Sequence, residues 1–354
     1  MPSNTDAPKN AMMKKARKLA ALLSAVAATA CMVSACGADR SENSMSLMVD
    51  VGYLPKHAPF FSAVHRGFFA AEGLDVTVMP GSGSSNTVAA VETGRVDAGW
   101  ADFGVTVMNQ GRGAKVKQVN LLQAKSAYAV VSMDGKGINT WADLKGKTVA
   151  TEGAGAMTSM WPYALNKLGL QERDVNVVHA ASSAKLPGLL SGQWDATLAL
   201  SVSDAPAIDA LGKTPVVLRW RDLGIDLYGN GIIFSDESLK NRPDRVKKFN
   251  NALQHAFLWS CQNPEASAED FHREVEGYET KTVVKALDEQ CSLNWPDDSP
   301  NSQFGTMSDA GVQKMIDICH NFLGLDKNIS VNPSQVYSDA FVSPLSRGEH
   351  ITPP

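Results

Sequence analysis

The chain has 354 residues, 44% of them hydrophobic and 20% charged, with a formal net charge of −4. That length supports two compact domains with sizeable cores, and the composition excludes disordered and fibrous classes. Residues 1–35 hold Lys9, Lys14, Lys15, Arg17 and Lys18 against Asp6, so the remainder carries about −8, which argues against a nucleic-acid surface.

Lys14, Lys15, Arg17 and Lys18 form a basic region ahead of an apolar run, Leu19 to Val33. The run is too short and too rich in Ala for a membrane span, so residues 1–35 read as a signal peptide, with Met12 or Met13 as alternative starts. Val33-Ser34-Ala35-Cys36-Gly37 resembles a bacterial lipobox, in which the signal is cut before the cysteine and Cys36 is lipidated. An ordinary secretory signal is the alternative, and Cys31 is a second candidate. Residues 36–46 then serve as a polar tether.

Past the tether, the pattern predicts a strand over Leu47–Val51 and a turn-rich loop, Gly52 to Pro59. A helix carries Phe60, Phe61, Val64, Phe68 and Phe69, a strand covers Val76–Val78, and a polar loop covers Gly81–Asn86. A second helix reaches Gly94, and Val96 to Trp100 leads into Ala101-Asp102. This order implies a parallel sheet with crossover helices, whose ligands sit beyond the carboxyl ends of the strands. Strands follow at Val116–Gln123 and Lys125–Ser132. The plan then restarts at Trp141 to Ala150, with a polar loop Gly153–Ser159, a helix to Leu168 and a strand Val175–Val178. Ser182-Ser183 heads a helix ending near Gly192, Asp195–Leu200 is a strand, and Ser201–Ala205 turns into a helix at Pro206. Val216–Arg219 is a strand, and Tyr228-Gly229-Asn230-Gly231 precedes Ile232-Ile233-Phe234. Pro243–Ser260 is an amphipathic helix, 265–325 is helical with breaks at Trp295-Pro296 and Ser299-Pro300, and the tail from Asn332 wraps the surface and frays.

The phrases GYLPKHAPFFSAVHRGFFAAEGLDVTV, GSGSSNTVAAVETGRVDAGWAD and TWADLKGKTVA resemble solute-binding proteins of ABC importers. The similar class takes up nitrate, sulfonates such as taurine, thiamine precursors and aromatic acids, and the likeness runs to about residue 260. It implies an α/β, two-lobe periplasmic-binding-protein-like fold of type II, each lobe a mainly parallel sheet flanked by helices, with the ligand cleft between them. The lobes are expected at 47–124 plus 234–354 and at 125–233, with hinge crossings near 125–130 and 229–233. The implied function is an extracytoplasmic lipoprotein, anchored to a bacterial membrane, that closes on a small solute and passes it to a permease and its ATPase. It is expected to work as a monomer without cofactor or metal, and without catalysis. An enzyme of the pyrimidine-precursor synthase type is the competing reading; that family carries a cysteine-rich cluster this sequence lacks.

Candidate ligand contacts follow from the crevice rule. Ser84, Ser85 and Asn86 open one helix, and Gly155, Thr158 and Ser159 open its counterpart, so both offer N–H groups and hydroxyls to an anion, although a plain cap accounts for them too. Ser183 and Ser201 sit at comparable loop positions. Tyr53, Trp100 and Tyr228 could sandwich a ring, and Phe60 and Trp161 serve equally well as core. His57 offers positive charge, Lys56 reads as a solvated surface lysine, and Asp102, Asp204 and Asn230 could accept hydrogen bonds. Aromatics and helix starts together suggest an aromatic carboxylate or a sulfonate, with a thiamine-precursor pyrimidine as the alternative. Cys261 and Cys291 are the favoured disulfide pair, with three free thiols (Cys319 the third) as the alternative.

Overall fold

Strand pairing in the computed structural model, which describes residues 43–153, 156–297 and 301–354, sorts ten strands into two sheets of five. The first sheet contains β1 (Ser44–Met48), β2 (Asp75–Met79), β3 (Ala98–Asp102), β4 (Val116–Asn120) and β10 (Asn230–Ser235), in the order β2-β1-β3-β10-β4. The second contains β5 (Tyr128–Met133), β6 (Thr148–Thr151), β7 (Asn176–His179), β8 (Ala196–Leu200) and β9 (Pro215–Arg219), in the order β7-β6-β8-β5-β9. The two orders are one plan used twice. β1 is parallel to β2 and β3, as β6 is to β7 and β8. β10 and β5 are antiparallel to both their neighbours, so each sheet is mixed, with one reversed strand among four that share a direction. The reversed strand is in each case the one that enters from the other sheet. An α/β, two-lobe binding-protein fold results.

The two entering segments are bonded to each other. Gln123 N donates to Asn230 O at 2.9 Å, Gly229 N to Gln123 O at 3.0 Å, and Ser126 N to Leu227 O at 2.8 Å. A Cβ on Gly229 would lie 2.8 Å from Gln123 O, so this close approach needs glycine. Two short paired segments joining two sheets have the form of a hinge.

β1 starts at Ser44, three residues before the expected strand and inside the expected tether. Ser46 reads as a tether residue, yet it is buried, and its N–H and hydroxyl both donate to Asp97 Oδ2. Helices pack on both sheets because their apolar stripes match the buried strand residues. On the first sheet, α1 (Ala58–His65) and the long helix Pro243–Gln262 enclose Trp100 between Phe60 and Phe257, with ring centroids 5.3 and 5.9 Å away. On the second, Trp161 and Trp220 lie in one cluster with Met160 and Leu165. The tail is held down, with Leu345 and Ile351 buried and Ile351 N donating to Gln262 Oε1. Cys261 and Cys291 form a disulfide, and Cys319 is free and buried.

Because Trp100 is 1% exposed and touches two rings, Trp100→Ala should cost about 3–5 kcal/mol of stability. Urea unfolding measures this; a loss below 1 kcal/mol would place the ring outside the core.

Candidate functional site

A cavity of about 580 Å³ lies between the sheets, against the two paired crossings. Its walls come from the ends of β1 and β3 on one side, β6 and β8 on the other, and the paired crossings behind. The carboxyl ends of parallel strands build it, as this architecture requires.

Asp50 follows β1 and is buried. Oδ2 accepts from Lys56 Nζ at 2.6 Å and Asn230 Nδ2 at 2.9 Å, and Oδ1 accepts from Val51 N at 3.0 Å and lies 2.9 Å from His57 Nε2. Burial by itself would raise its pKa, but Lys56 and His57 outweigh burial and hold the carboxyl well below its ordinary range. Leu54 N donates to His57 Nδ1, so that nitrogen is an acceptor and Nε2 carries the proton given to Asp50. Burial pushes the His57 pKa down, against the pull of Asp50, which keeps the ring neutral near pH 7.

Asp102 ends β3 and caps α2 (Phe103–Gly111), with Oδ1 accepting from Val105 N at 2.9 Å. Burial raises its pKa to about 6, a rise that the Val105 bond opposes and Asp50 reinforces. Tyr128, the first residue of β5, lines the same cavity as Asp102, and burial pushes the Tyr128 phenol upward, with Asp102 adding to the shift. Glu152 follows β6 and pairs with Lys185 at 3.0 Å, whose Nζ also donates to Leu198 O at 2.7 Å. Asp204 opens the helix after β8, and burial raises its pKa against the attraction of Lys185.

The repeated plan therefore puts four acids on the cavity at matching places. The acid just after β1 or β6, Asp50 or Glu152, has a lysine partner. The acid at the end of β3 or at the start of the helix after β8, Asp102 or Asp204, has no Lys or Arg in ion-pair distance among the described residues. Four carboxyls face two lysines, and both lysines are engaged.

Of the residues proposed from sequence, Ser84, Asp102, Asp204 and Asn230 line this cavity, and Thr158 lines a small recess beside it. Ser84 Oγ accepts from Asp102 N at 3.1 Å. The other placements are corrections. Ser85 and Asn86 are exposed, and Asn86 Nδ2 turns back to Ser82 O. Ser159 and Ser183 are exposed and off the cavity. Tyr53 donates to Val78 O and packs on Phe61, and Trp100 is core, packed between Phe60 and Phe257. His57 is buried behind Asp50, and Ser201 is buried behind the wall beside Glu289. Tyr228 lies against Ser308 and Phe103 and lines a separate cavity. Lys56, expected as a solvated surface lysine, is 3% exposed and paired. Cys36 and Gly155 lie outside the described residues. Sequence reading missed Asp50, Tyr128, Glu152 and Lys185; superposing the two repeats would have flagged the two acids. Among the described residues, no group of three or more His, Cys, Asp or Glu is placed to hold a metal ion, and no helix is long and apolar enough to cross a membrane.

With its ionised carboxyl costing desolvation, Asp102 makes stability pH-dependent. Its folded pKa, about 6, exceeds the ordinary 3.8, so the folded state binds the extra proton between these values. That cost is absent near pH 3.8 and grows as pH rises to about 6. Asp102→Asn keeps the cap, so it should melt higher than the parent at pH 7.5, with the gap closing by about pH 4. A gap independent of pH counts against the shift.

The fold is shared with solved solute-binding proteins. The alkanesulfonate-binding protein SsuA from Xanthomonas axonopodis, bound to MOPS, superposes with a TM-score of 0.63 at 18% identity, over 84% of this chain and 99% of that one. By sequence, a 4-amino-5-hydroxymethyl-2-methylpyrimidine phosphate synthase of Schizosaccharomyces pombe is 23% identical over 235 residues, 63% of this chain and 67% of its own. YtlA of Bacillus subtilis, named as a binding protein, is 23% identical over 246 residues, 68% of this chain and 69% of its own. Relatives in Saccharomyces cerevisiae carry the synthase name as well. Those names overturn the expectation that catalysis can be excluded, since enzymes and binding proteins both stand among the relatives. A family described as NMT1/THI5 like matches residues 54–267, more than half of the sequence and both sides of the cleft, and the chain belongs to that family.

Proposed function

We propose that this protein is the extracytoplasmic solute-binding component of an ABC importer, and that its solute is a small aminopyrimidine-type heterocycle. The observation that carries the choice of solute is the charge of the cleft. Lys56 and Lys185 are each taken by a carboxylate, and among the described residues Asp102 and Asp204 have no Lys or Arg in ion-pair distance. An organic anion entering there would meet like charge in a poorly solvated space. An aminopyrimidine edge offers an amino donor beside a ring nitrogen, which a carboxyl near its pKa can match in either protonation state. Leu54, Met157 and Val202 supply apolar wall for the ring, and about 580 Å³ suits one small molecule. The name of the curated relatives points to the same pyrimidine class. Hinge closure would complete the enclosure.

The relatives' name also favours a second reading, in which the chain transforms such a pyrimidine. A new species appearing by mass spectrometry when the protein is incubated with it would support that reading.

Calorimetry tests the solute. The unphosphorylated 4-amino-5-hydroxymethyl-2-methylpyrimidine should bind, its 4-oxo analogue should bind at least about tenfold more weakly, and Asp102→Asn should weaken the first by a similar factor. Saturable binding of an alkanesulfonate or of the pyrimidine phosphate ester, with none of the free pyrimidine, would reverse the reading. Cell-surface anchoring through Cys36, as a monomer, belongs to the same proposal. Mass spectrometry of the native amino terminus should find a lipid there, and a mature chain starting elsewhere would count against it.

A further inference from the structure

Helix α3 (Thr280–Leu293) belongs to the first lobe by packing. Val283 and Leu287 are buried with Phe61 and Phe271, and the Cys261–Cys291 disulfide ties the helix to the end of Pro243–Gln262. Its other contacts reach the second lobe. Arg219, at the end of β9, gives Glu289 a two-pronged bond, Nε to Oε1 at 2.9 Å and Nη2 to Oε2 at 2.5 Å. Lys285 pairs with Asp209 of the helix Asp204–Ala210. Leu293 is buried with Ala127 and Val202, next to the hinge.

We propose that α3 is a latch, fixed to the first lobe, whose ion pairs to Arg219 and Asp209 hold the cleft shut before any solute arrives. The inference rests on the two-lobe fold and not on the identity of the solute. Rotation of the second lobe about the paired crossings carries Arg219 and Asp209 away from a helix that the disulfide and apolar packing keep in place. The Arg219–Glu289 fork is partly buried and geometrically specific, so it is stronger than an ordinary surface pair. Glu289 is held ionised: burial would raise its pKa, but the Arg219 bond wins. Ser201 precedes the cavity-lining Val202 and Ser203, and Asp204 and Asp209 share one helix, so the latch grips the wall that a solute touches. A further cross-lobe contact, Tyr163 against Phe322 at 4.6 Å between centroids, is apolar and insensitive to salt.

Small-angle X-ray scattering of the solute-free protein tests this. Glu289→Gln should raise the radius of gyration and lengthen the maximum dimension relative to the parent, and high salt should move the parent the same way. The reversed pair, Arg219→Glu with Glu289→Arg, should return the curve toward the parent, which a general loosening of the fold would not do. Lys285→Ala, at the more exposed pair, should give a smaller expansion in the same direction and serves if Glu289→Gln does not fold. Variants that scatter like the parent, or a reversed pair that leaves the expansion in place, overturn the latch.

Discussion

The cleft depends on one buried carboxylate. Asp50 collects donors from Lys56, His57, Asn230 and Val51, and these come from the end of β1, the loop after it and the returning strand β10. Removing one partner of a buried pair leaves an uncompensated charge, which costs about 3–5 kcal/mol. The side chain therefore fixes the loop that forms the cavity floor and the crossing that forms its back. It also settles what Lys56 can do. A lysine spent on Asp50 is not available to a ligand.

That consequence separates fold from ligand. The likeness to sulfonate-binding proteins reaches the architecture, at identities too low to carry a binding preference. We infer the preference from the residues at the ends of the parallel strands, where two acids in each lobe face one lysine. The sequence relatives divide between binding proteins and synthases, so the family is compatible with holding a small molecule and with changing one.

The architecture was legible because parallel strands with crossover helices leave a strong pattern: apolar runs, small polar turns, then helical periodicity, repeated twice. The site was legible only in part. Asp102 and Asn230 line the cavity because they stand at strand ends, and Asp204 does so because it opens the helix after β8. Trp100 was misread because a place near a strand's carboxyl end does not show what covers the side chain, and Phe60 and Phe257 pack against this ring. Lys56 was misread because nothing local shows that a carboxylate six residues earlier is folded against it. Ser85 and Asn86 were misread because a helix start implies free N–H groups but not the direction they face.

The central claim is that Asp102, at the end of β3, faces the cleft as a desolvated carboxyl with no Lys or Arg in ion-pair distance among the described residues. Carbon-13 NMR titration of the Asp102 carboxyl in the solute-free protein tests it most directly. The account expects a midpoint near 6, moving when the aminopyrimidine is added. A midpoint in the ordinary range near 3.8, unmoved by that ligand, would contradict both the electrostatics of the cleft and the solute inferred from it.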